Sequence, residues 1–158
     1  MQRSSFVTGG YGLLGSWLVK ALLERGDRVT VLRRDHRAAP GLLGLDDQVS
    51  IVDGDICDSV VLDRVLCEYQ VESVFHLAAQ SIVSTANRSP VPTFEANIRG
   101  TWTVLEACRR HGAGRVIVAS SDKAYGPHED LPYREDHALQ PHYPYDASKA
   151  AADLLARS

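Results

Sequence analysis

The chain is 158 residues long, the length of one ordinary domain that buries enough surface on folding to form a core. Its residues are 44% hydrophobic and 23% charged, which favours neither a disordered chain nor a coiled coil. The net charge of -3 gives no reason to expect nucleic acid, and no apolar run approaches the roughly 20 residues of a membrane span.

Short apolar runs alternate along the chain with segments of helical spacing. Strands are predicted over residues 5–8, 28–32, 49–52, 72–76 and 115–120. Helices are predicted over residues 12–25, 58–69, 93–111 and 144–158, and residues 125–143 are predicted to form a loop. This alternation predicts a doubly wound α/β fold, with a parallel sheet in the order 3-2-1-4-5 and a crevice between strands one and four.

The organisation of the chain indicates a single domain over residues 1–158, because no repeat or linker interrupts it. It stops in mid-helix at residues 156–158, so we expect a fragment of a longer protein, with a natural short domain as the alternative. No signal peptide is expected before the first strand. Cys57, Cys67 and Cys108 lack metal-ligand spacing, and we expect reduced, mostly buried thiols in a cytoplasmic protein.

Three glycines, Gly9, Gly12 and Gly15, follow the first strand with the spacing G-x-x-G-x-x-G and open the first helix. They would allow a tight turn, close approach of the backbone to a pyrophosphate, and tight packing of the helix on the strand. The pyrophosphate would bind at the helix N-terminus, where N–H groups and the helix dipole favour an anion. This context predicts a dinucleotide-binding Rossmann sheet, and a purely structural glycine turn is the alternative.

The end of the second strand bears on the choice between NAD and NADP. Arg33 stands where an acid that binds the adenosine ribose is usual, so Arg33 and Arg34 favour a 2′-phosphate and hence NADP. The alternatives are a solvated loop, or a ribose bound by Asp35. Asp55 and the backbone amide of Ile56, after the third strand, are predicted near the adenine, with an ordinary acidic turn as the alternative.

Tyr145 and Lys149 lie four residues apart and would be neighbours on one helical face. A nearby ammonium stabilises a phenolate, which makes Tyr145 a candidate base for a sugar hydroxyl. Lys149 is also a candidate to bind the nicotinamide ribose. The alternative is an ordinary amphipathic helix.

A polar turn, Ser121-Asp122-Lys123, directly follows the fifth strand, and ligands bind at the carboxyl ends of strands in such sheets. The alternative is an exposed local ion pair, worth under about 1 kcal/mol.

Six segments together resemble the extended short-chain dehydrogenase/reductases, specifically the NAD(P)-dependent epimerase/dehydratase family that acts on nucleotide sugars. They are TGGYGLLG, GDI, HLAAQS, FEANIRGTWTVLEACR, SSDKAYG and YPYDASK, and they cover nearly the whole chain. The resemblance implies further cofactor contacts from Leu13, Leu14, Leu77, Ala78, Ala79 and Tyr145. It also implies that Asn97 braces the helices of the site. His76 would line the cofactor crevice or simply pack at the strand end.

The same resemblance implies a role for each residue of the catalytic set. Ser121 would hydrogen-bond the sugar C4 oxygen, Tyr145 would take its proton, and Lys149 would hold the ribose. The Asp-Lys pair looks like that of the CDP-glucose 4,6-dehydratases. Asp122 would then protonate the departing C6 hydroxyl, and Lys123 would help to abstract the C5 proton or orient Asp122.

The resulting expectation is a nucleotide-sugar 4,6-dehydratase that uses NAD or NADP, with NADP favoured. A nucleotide-sugar 4-epimerase and a non-catalytic dinucleotide-binding module are the alternatives. Family members carry a second, smaller domain that would follow Ser158. We therefore expect the chain as given to be a weak catalyst or inactive, because water is not excluded from its site. A homodimer, formed by the long helix and the Tyr145 helix, is also implied.

Overall fold

The computed structural model describes residues 2–36 and 44–158. Contacts divide the chain into two compact units. The first unit comprises residues 1–78 and 103–118, and the second comprises residues 79–102 and 119–158.

A parallel sheet of five strands, within the described residues, forms the centre of the first unit. The strands are β1 (Ser4–Thr8), β2 (Arg28–Arg33), β3 (Ser50–Asp53), β4 (Ser73–His76) and β5 (Arg115–Val118). Their order is β3-β2-β1-β4-β5, and every neighbouring pair is parallel. The predicted α/β fold and the order 3-2-1-4-5 are therefore confirmed.

The helices follow the predicted alternation with two differences. They are α1 (Leu13–Glu24), α2 (Ser59–Glu68), α3 (Val83–Arg88), α4 (Pro90–Phe94), a π-helical stretch Glu95–Arg99, α5 (Gly100–His111) and α6 (Pro144–Arg157), with 3-10 turns at Asp46–Gln48 and Asp122–Tyr125. The long helix predicted over residues 93–111 begins earlier, because Pro90 occupies a first-turn position that needs no N–H donor. Helix α3 was not predicted, since its six residues are mostly polar and show no apolar period.

Strand β1 lies in the middle of the sheet, and all five of its residues are buried. Its side chains alternate between two hydrophobic clusters: Phe6 packs with residues of α2 and α5, and Val7 packs with residues of α1. This alternation covers the first strand on both sides and fixes its register against β2 and β4.

The three cysteines do not share one environment. Cys108 is buried, and burial raises the pKa of its thiol to about 11. Cys57 is half-buried. Cys67 is exposed on α2, so the prediction of mostly buried thiols is wrong for this residue. Its helix turns that position away from the sheet, toward solvent. Among the described helices, none is long and apolar enough to cross a membrane.

Candidate active site

The glycine turn between β1 and α1 packs tightly against its surroundings in the first unit. Gly9 has φ +74°, and a Cβ atom there would lie 2.7 Å from the backbone nitrogen of Ala78. A Cβ atom on Gly15 would overlap the carbonyl oxygen of Gly9 and lie 2.8 Å from its carbon. The Gly12 amide donates to the same Gly9 oxygen over 2.9 Å. The backbone path therefore requires glycine at two of the three motif positions.

The N-terminus of α1 has the features of an anion site. Its N-cap residue is Gly12, and no side chain caps the first turn. The next two residues, Leu13 and Leu14, are 77% and 67% exposed. The first-turn N–H groups have no partner within the helix itself, so they are available to a pyrophosphate. The residues present thus fit a dinucleotide.

At the end of β2, both arginines that the sequence offers to a 2′-phosphate are paired with carboxylates. The Arg33 guanidinium donates to both carboxylate oxygens of Asp53, with Nε–Oδ1 and Nη2–Oδ2 distances of 2.6 and 2.9 Å. Arg34 donates to Oδ2 of Asp35, and the shorter of the two bonds is 2.8 Å long. The positive charge of each arginine is therefore already balanced by a carboxylate in the absence of a ligand.

The residues predicted near adenine contribute to local structure in the first unit. Asp55 Oδ1 accepts a hydrogen bond from the Cys57 amide over 2.8 Å. Ile56 is buried in the core cluster, which leaves its backbone as the part offered to a ligand.

The end of β4 meets the glycine turn through Thr8. The hydroxyl of Thr8 lies 2.7 Å from Nδ1 of His76, and that histidine is only 2% exposed. The Leu77 and Ala78 amides donate to the carbonyl and hydroxyl oxygens of Thr8, over 3.1 and 3.3 Å. These bonds support the packed-histidine interpretation of His76. Ala79 belongs to the second unit.

The polar turn after β5 lies in the second unit and carries three of the predicted catalytic residues. Ser121 caps the 3-10 turn: its hydroxyl accepts from the Lys123 amide over 3.2 Å and donates to Oδ1 of Asp122 over 3.2 Å. The Lys123 ammonium is 3.9 Å from Oδ2 of Asp122, and the two side chains are 57% and 62% exposed. A carboxyl group thus stands beside the serine hydroxyl and faces solvent.

Helix α6 carries Tyr145 and Lys149 and packs against this turn. Tyr145 is half-buried, whereas Lys149 is 6% exposed. The Lys149 ammonium donates to the carbonyl oxygen of Ala119, two residues before Ser121, over 2.5 Å. Burial lowers the pKa of Lys149, because a charged ammonium loses hydration there. The lysine is therefore anchored at the base of the polar turn.

Asn97 joins two segments of the second unit, as the resemblance implies. Its side-chain oxygen accepts from the Gln80 amide over 2.7 Å, and its nitrogen donates to the Gln80 carbonyl over 3.1 Å. The same nitrogen donates to Ser148 Oγ over 2.9 Å, and Ser148 in turn donates to the Tyr145 carbonyl over 2.7 Å. Ser148 was not predicted as a residue of the site. Its position in the sequence, between Tyr145 and Lys149, was the signal that could have indicated it.

Replacing Asn97 with alanine should lower the free energy of unfolding by about 1–3 kcal/mol, because buried partners of its amide would lose their hydrogen bonds. Asn87→Ala is the matched control, since Asn87 is exposed on α3, and we expect a change within about 0.5 kcal/mol. Urea denaturation of both variants measures the difference. Equal stability of the two variants would contradict the bracing role.

The loop predicted over residues 125–143 holds a cluster of stacked rings that the sequence did not indicate. Tyr125 stacks on Tyr133 with ring centroids 5.2 Å apart, and His128 stacks on His137 at 4.9 Å. Gly126 has φ +70°, and a Cβ atom there would overlap the Gln140 carbonyl oxygen. The glycine after Tyr125 was a signal for this turn, but the cluster depends on loop contacts that no periodicity reveals.

A cavity of about 220 Å³ opens beside the polar turn in the second unit. Its lining includes Ser121, Asp122, Tyr125, Leu139, Asp153 and Arg157. The predicted serine and acid thus share one opening.

The family is shown by comparison with known proteins. The family model described as GDP-mannose 4,6 dehydratase matches residues 6–158. The dTDP-glucose 4,6-dehydratase of Streptomyces antibioticus is 38% identical over 162 residues, which cover 96% of this chain and 47% of that protein. The UDP-glucose 4-epimerase of Halalkalibacterium halodurans is 33% identical over 149 residues, covering 94% and 44%. The chain belongs to the extended short-chain dehydrogenase/reductases, in the NAD-dependent epimerase/dehydratase family.

A solved relative has the same fold. The dTDP-glucose 4,6-dehydratase from Streptomyces venezuelae, with NAD and TYD bound, superposes with a TM-score of 0.89 at 35% identity. The match covers 98% of this chain and 50% of that one. The chain therefore spans about half the length of the relatives it matches.

Proposed function

We propose that the protein is a nucleotide-sugar 4,6-dehydratase, which converts an NDP-hexose to an NDP-4-keto-6-deoxyhexose and water. One observation carries this proposal: the exposed Asp122 carboxyl stands beside Ser121 on a single turn at the end of β5. A dehydration needs an acid for the departing hydroxyl, in addition to the serine and tyrosine that oxidation at C4 needs. The resemblance of Asp122-Lys123 to the pair in CDP-glucose 4,6-dehydratases supports the same choice.

We propose a nicotinamide dinucleotide as the cofactor, held by residues of the first unit. The glycine turn and the first-turn N–H groups of α1 would bind its pyrophosphate. When bound, the cofactor supplies the acceptor for a hydride from C4 and the donor of a hydride to C6. The bound NAD of the Streptomyces venezuelae relative supports this assignment. The preference for NADP that the sequence favours stays a prediction. It requires Arg33 to bind the 2′-phosphate.

The residues of the second unit would carry out the proton transfers. Ser121 would donate a hydrogen bond to the C4 oxygen, and Tyr145 would remove the proton of that hydroxyl. Lys149, fixed by the Ala119 carbonyl, would hold the nicotinamide ribose and stabilise the phenolate. Each such acid–base group is worth about 10²- to 10⁴-fold in rate.

The elimination would use the Asp122-Lys123 pair. A ketone at C4 acidifies the C5–H bond, and Asp122 would give its proton to the departing C6 hydroxyl. Lys123, whose Nζ lies 3.9 Å from Oδ2 of Asp122, would orient the protonated Asp122 carboxyl or, as the neutral amine, help to abstract the C5 proton.

A 4-epimerase is the second candidate, because an epimerase is also among the relatives above 30% identity. It would need Ser121 and Tyr145 but no acid for a leaving hydroxyl. A non-catalytic dinucleotide-binding module is the third candidate. We propose a cytoplasmic protein in each case, and the homodimer remains a prediction.

Replacing Asp122 with asparagine in the full-length protein should separate the two chemical stages. We expect elimination of water to fall by about 10²- to 10⁴-fold, because the acid is lost. Formation of the reduced nicotinamide on mixing with sugar should change by less than about threefold, since Ser121 and Tyr145 remain. Absorbance of the reduced nicotinamide and mass spectrometry of the sugar measure the two stages.

Glu129→Gln is the matched control for this variant, because Glu129 is an exposed acid in the loop that follows the polar turn. It should leave both stages unchanged. Full elimination by the Asp122→Asn protein would exclude Asp122 as the acid, whereas a wild-type protein that reduces the nicotinamide but releases no water would favour the epimerase.

A further inference from the structure

The ion pair between Arg33 and Asp53 occupies the end of β2, where the predicted cofactor contact lies. We infer that Asp53 is a specificity-determining residue that withholds Arg33 from a 2′-phosphate and so makes the protein prefer NAD⁺ over NADP⁺. This inference rests on the proposed dinucleotide binding. It departs from the NADP preference that the sequence predicts from Arg33 alone.

The register of the sheet creates the pair. Arg33 and Asp53 are opposite each other at the ends of the parallel strands β2 and β3. The Gly54 amide donates to the Arg33 carbonyl over 3.0 Å, which extends the pairing by one residue. The carboxylate then fills the guanidinium fork through two bonds, from Nε and Nη2. Such a bidentate pair has the same geometry by which arginine binds phosphate.

The glycine turn brings a further group to the arginine. The Tyr11 hydroxyl lies beside the Arg33 guanidinium and donates to Oδ1 of Asp46 over 3.1 Å. The Arg33 side chain is 21% exposed, whereas that of Asp53 is 63% exposed. Two donors of Arg33 are thus bonded to Asp53, and the more exposed member of the pair is the negative carboxylate.

The two cofactors meet this arrangement differently. A 2′-phosphate carries negative charge, so it would be repelled by Asp53 and would have to displace it from the guanidinium fork. The bonded guanidinium holds the pKa of Asp53 below its usual range, so this repulsion persists at neutral pH. A ribose 2′-hydroxyl is uncharged, and an exposed carboxylate is a ready acceptor for it.

The test is the Asp53→Asn variant, with calorimetric titration of NAD⁺ and, separately, NADP⁺. We expect the wild-type protein to bind NAD⁺ more tightly. In the variant, affinity for NADP⁺ should rise about tenfold or more, because the repulsion is removed and Arg33 is released. Affinity for NAD⁺ should stay constant or fall. The gain should shrink at high salt, because the site is exposed.

Three further variants separate the mechanism from simpler effects. Asp47→Asn makes the same change of net charge on the nearby 3-10 turn and should leave the NADP⁺ affinity unchanged. The double variant Asp53→Asn/Arg33→Gln should lose the gain, because the arginine is then absent. Asp53→Ser should reproduce the gain in NADP⁺ affinity. It controls for an asparagine side chain that still hydrogen-bonds Arg33 in the first variant. Thermal denaturation checks that each variant is folded.

The outcomes distinguish this inference from the proposed function. Tighter NADP⁺ binding by the wild type, or no gain in both Asp53 variants while NAD⁺ still binds, would overturn the specificity role and leave dinucleotide binding intact. If the folded wild type bound neither NAD⁺ nor NADP⁺, the proposed cofactor would be wrong, and the specificity role would fall with it.

Discussion

Replacing Tyr145 with phenylalanine in the full-length protein should lower the turnover of a nucleotide sugar by about 10²- to 10⁴-fold, because the phenol is the proposed base at the C4 hydroxyl. The ring itself would be kept, so packing of the half-buried side chain should survive. Affinity for the dinucleotide should change by less than about threefold. Single-turnover absorbance of the reduced nicotinamide measures the rate, and calorimetry measures the affinity.

Tyr143→Phe provides a closely matched control, because Tyr143 is the N-cap residue of the same helix and is 60% exposed. This variant also loses one phenol hydroxyl, but two residues before Tyr145, and it should retain the wild-type rate. A Tyr145→Phe protein that is folded and as fast as Tyr143→Phe would exclude Tyr145 as the base.

Replacing Gly15 with alanine should abolish measurable dinucleotide binding and lower the free energy of unfolding by about 1–3 kcal/mol. The added Cβ atom would overlap the Gly9 carbonyl oxygen, and the atoms it meets are backbone atoms that no rotamer change can move. Gly9 and Gly12 would then separate from the start of α1, where the pyrophosphate is proposed to bind. Calorimetric titration with NAD⁺ and urea denaturation measure the two effects.

The control for Gly15→Ala is Gly114→Ala, which adds the same methyl group before β5. Its Cβ atom would meet only the Glu72 carbonyl oxygen, at an ordinary distance of 3.7 Å. We expect neither stability nor binding to suffer. Wild-type NAD⁺ affinity in the Gly15→Ala protein would show that the glycine turn is not the pyrophosphate site.

The order of the sheet could be predicted because local signals agreed with the global fold. Each central strand is a short apolar run, and glycines end the helices before β2 and β5, at Gly26 and Gly112. Right-handed crossovers and a phosphate-binding first turn then leave few arrangements of five parallel strands. Asp58, which caps α2 by accepting from the amides of Val60 and Val61, was also predictable from its residue type.

Features set by contacts between distant segments could not be predicted. Arg33 and Asp53 are 20 residues apart, and only the β2–β3 register makes them partners. The start of the long helix was obscured by Pro90, because proline ends a helix in its interior but begins one in its first turn. The Asn97–Ser148 bond joins residues 51 positions apart, so the family resemblance implied the bracing role of Asn97 but not its partner Ser148.

The most direct test of the proposed function is to incubate the full-length protein with NAD⁺ and each of several nucleotide sugars in D₂O. The sugars would be dTDP-glucose, CDP-glucose, UDP-glucose and GDP-mannose, and mass spectrometry and NMR would identify the product. A dehydratase would give a 4-keto-6-deoxy sugar that has lost water and carries solvent deuterium at C5. A C4 epimer with all its oxygens and no deuterium, formed from any of these sugars, would contradict the dehydratase and establish the epimerase.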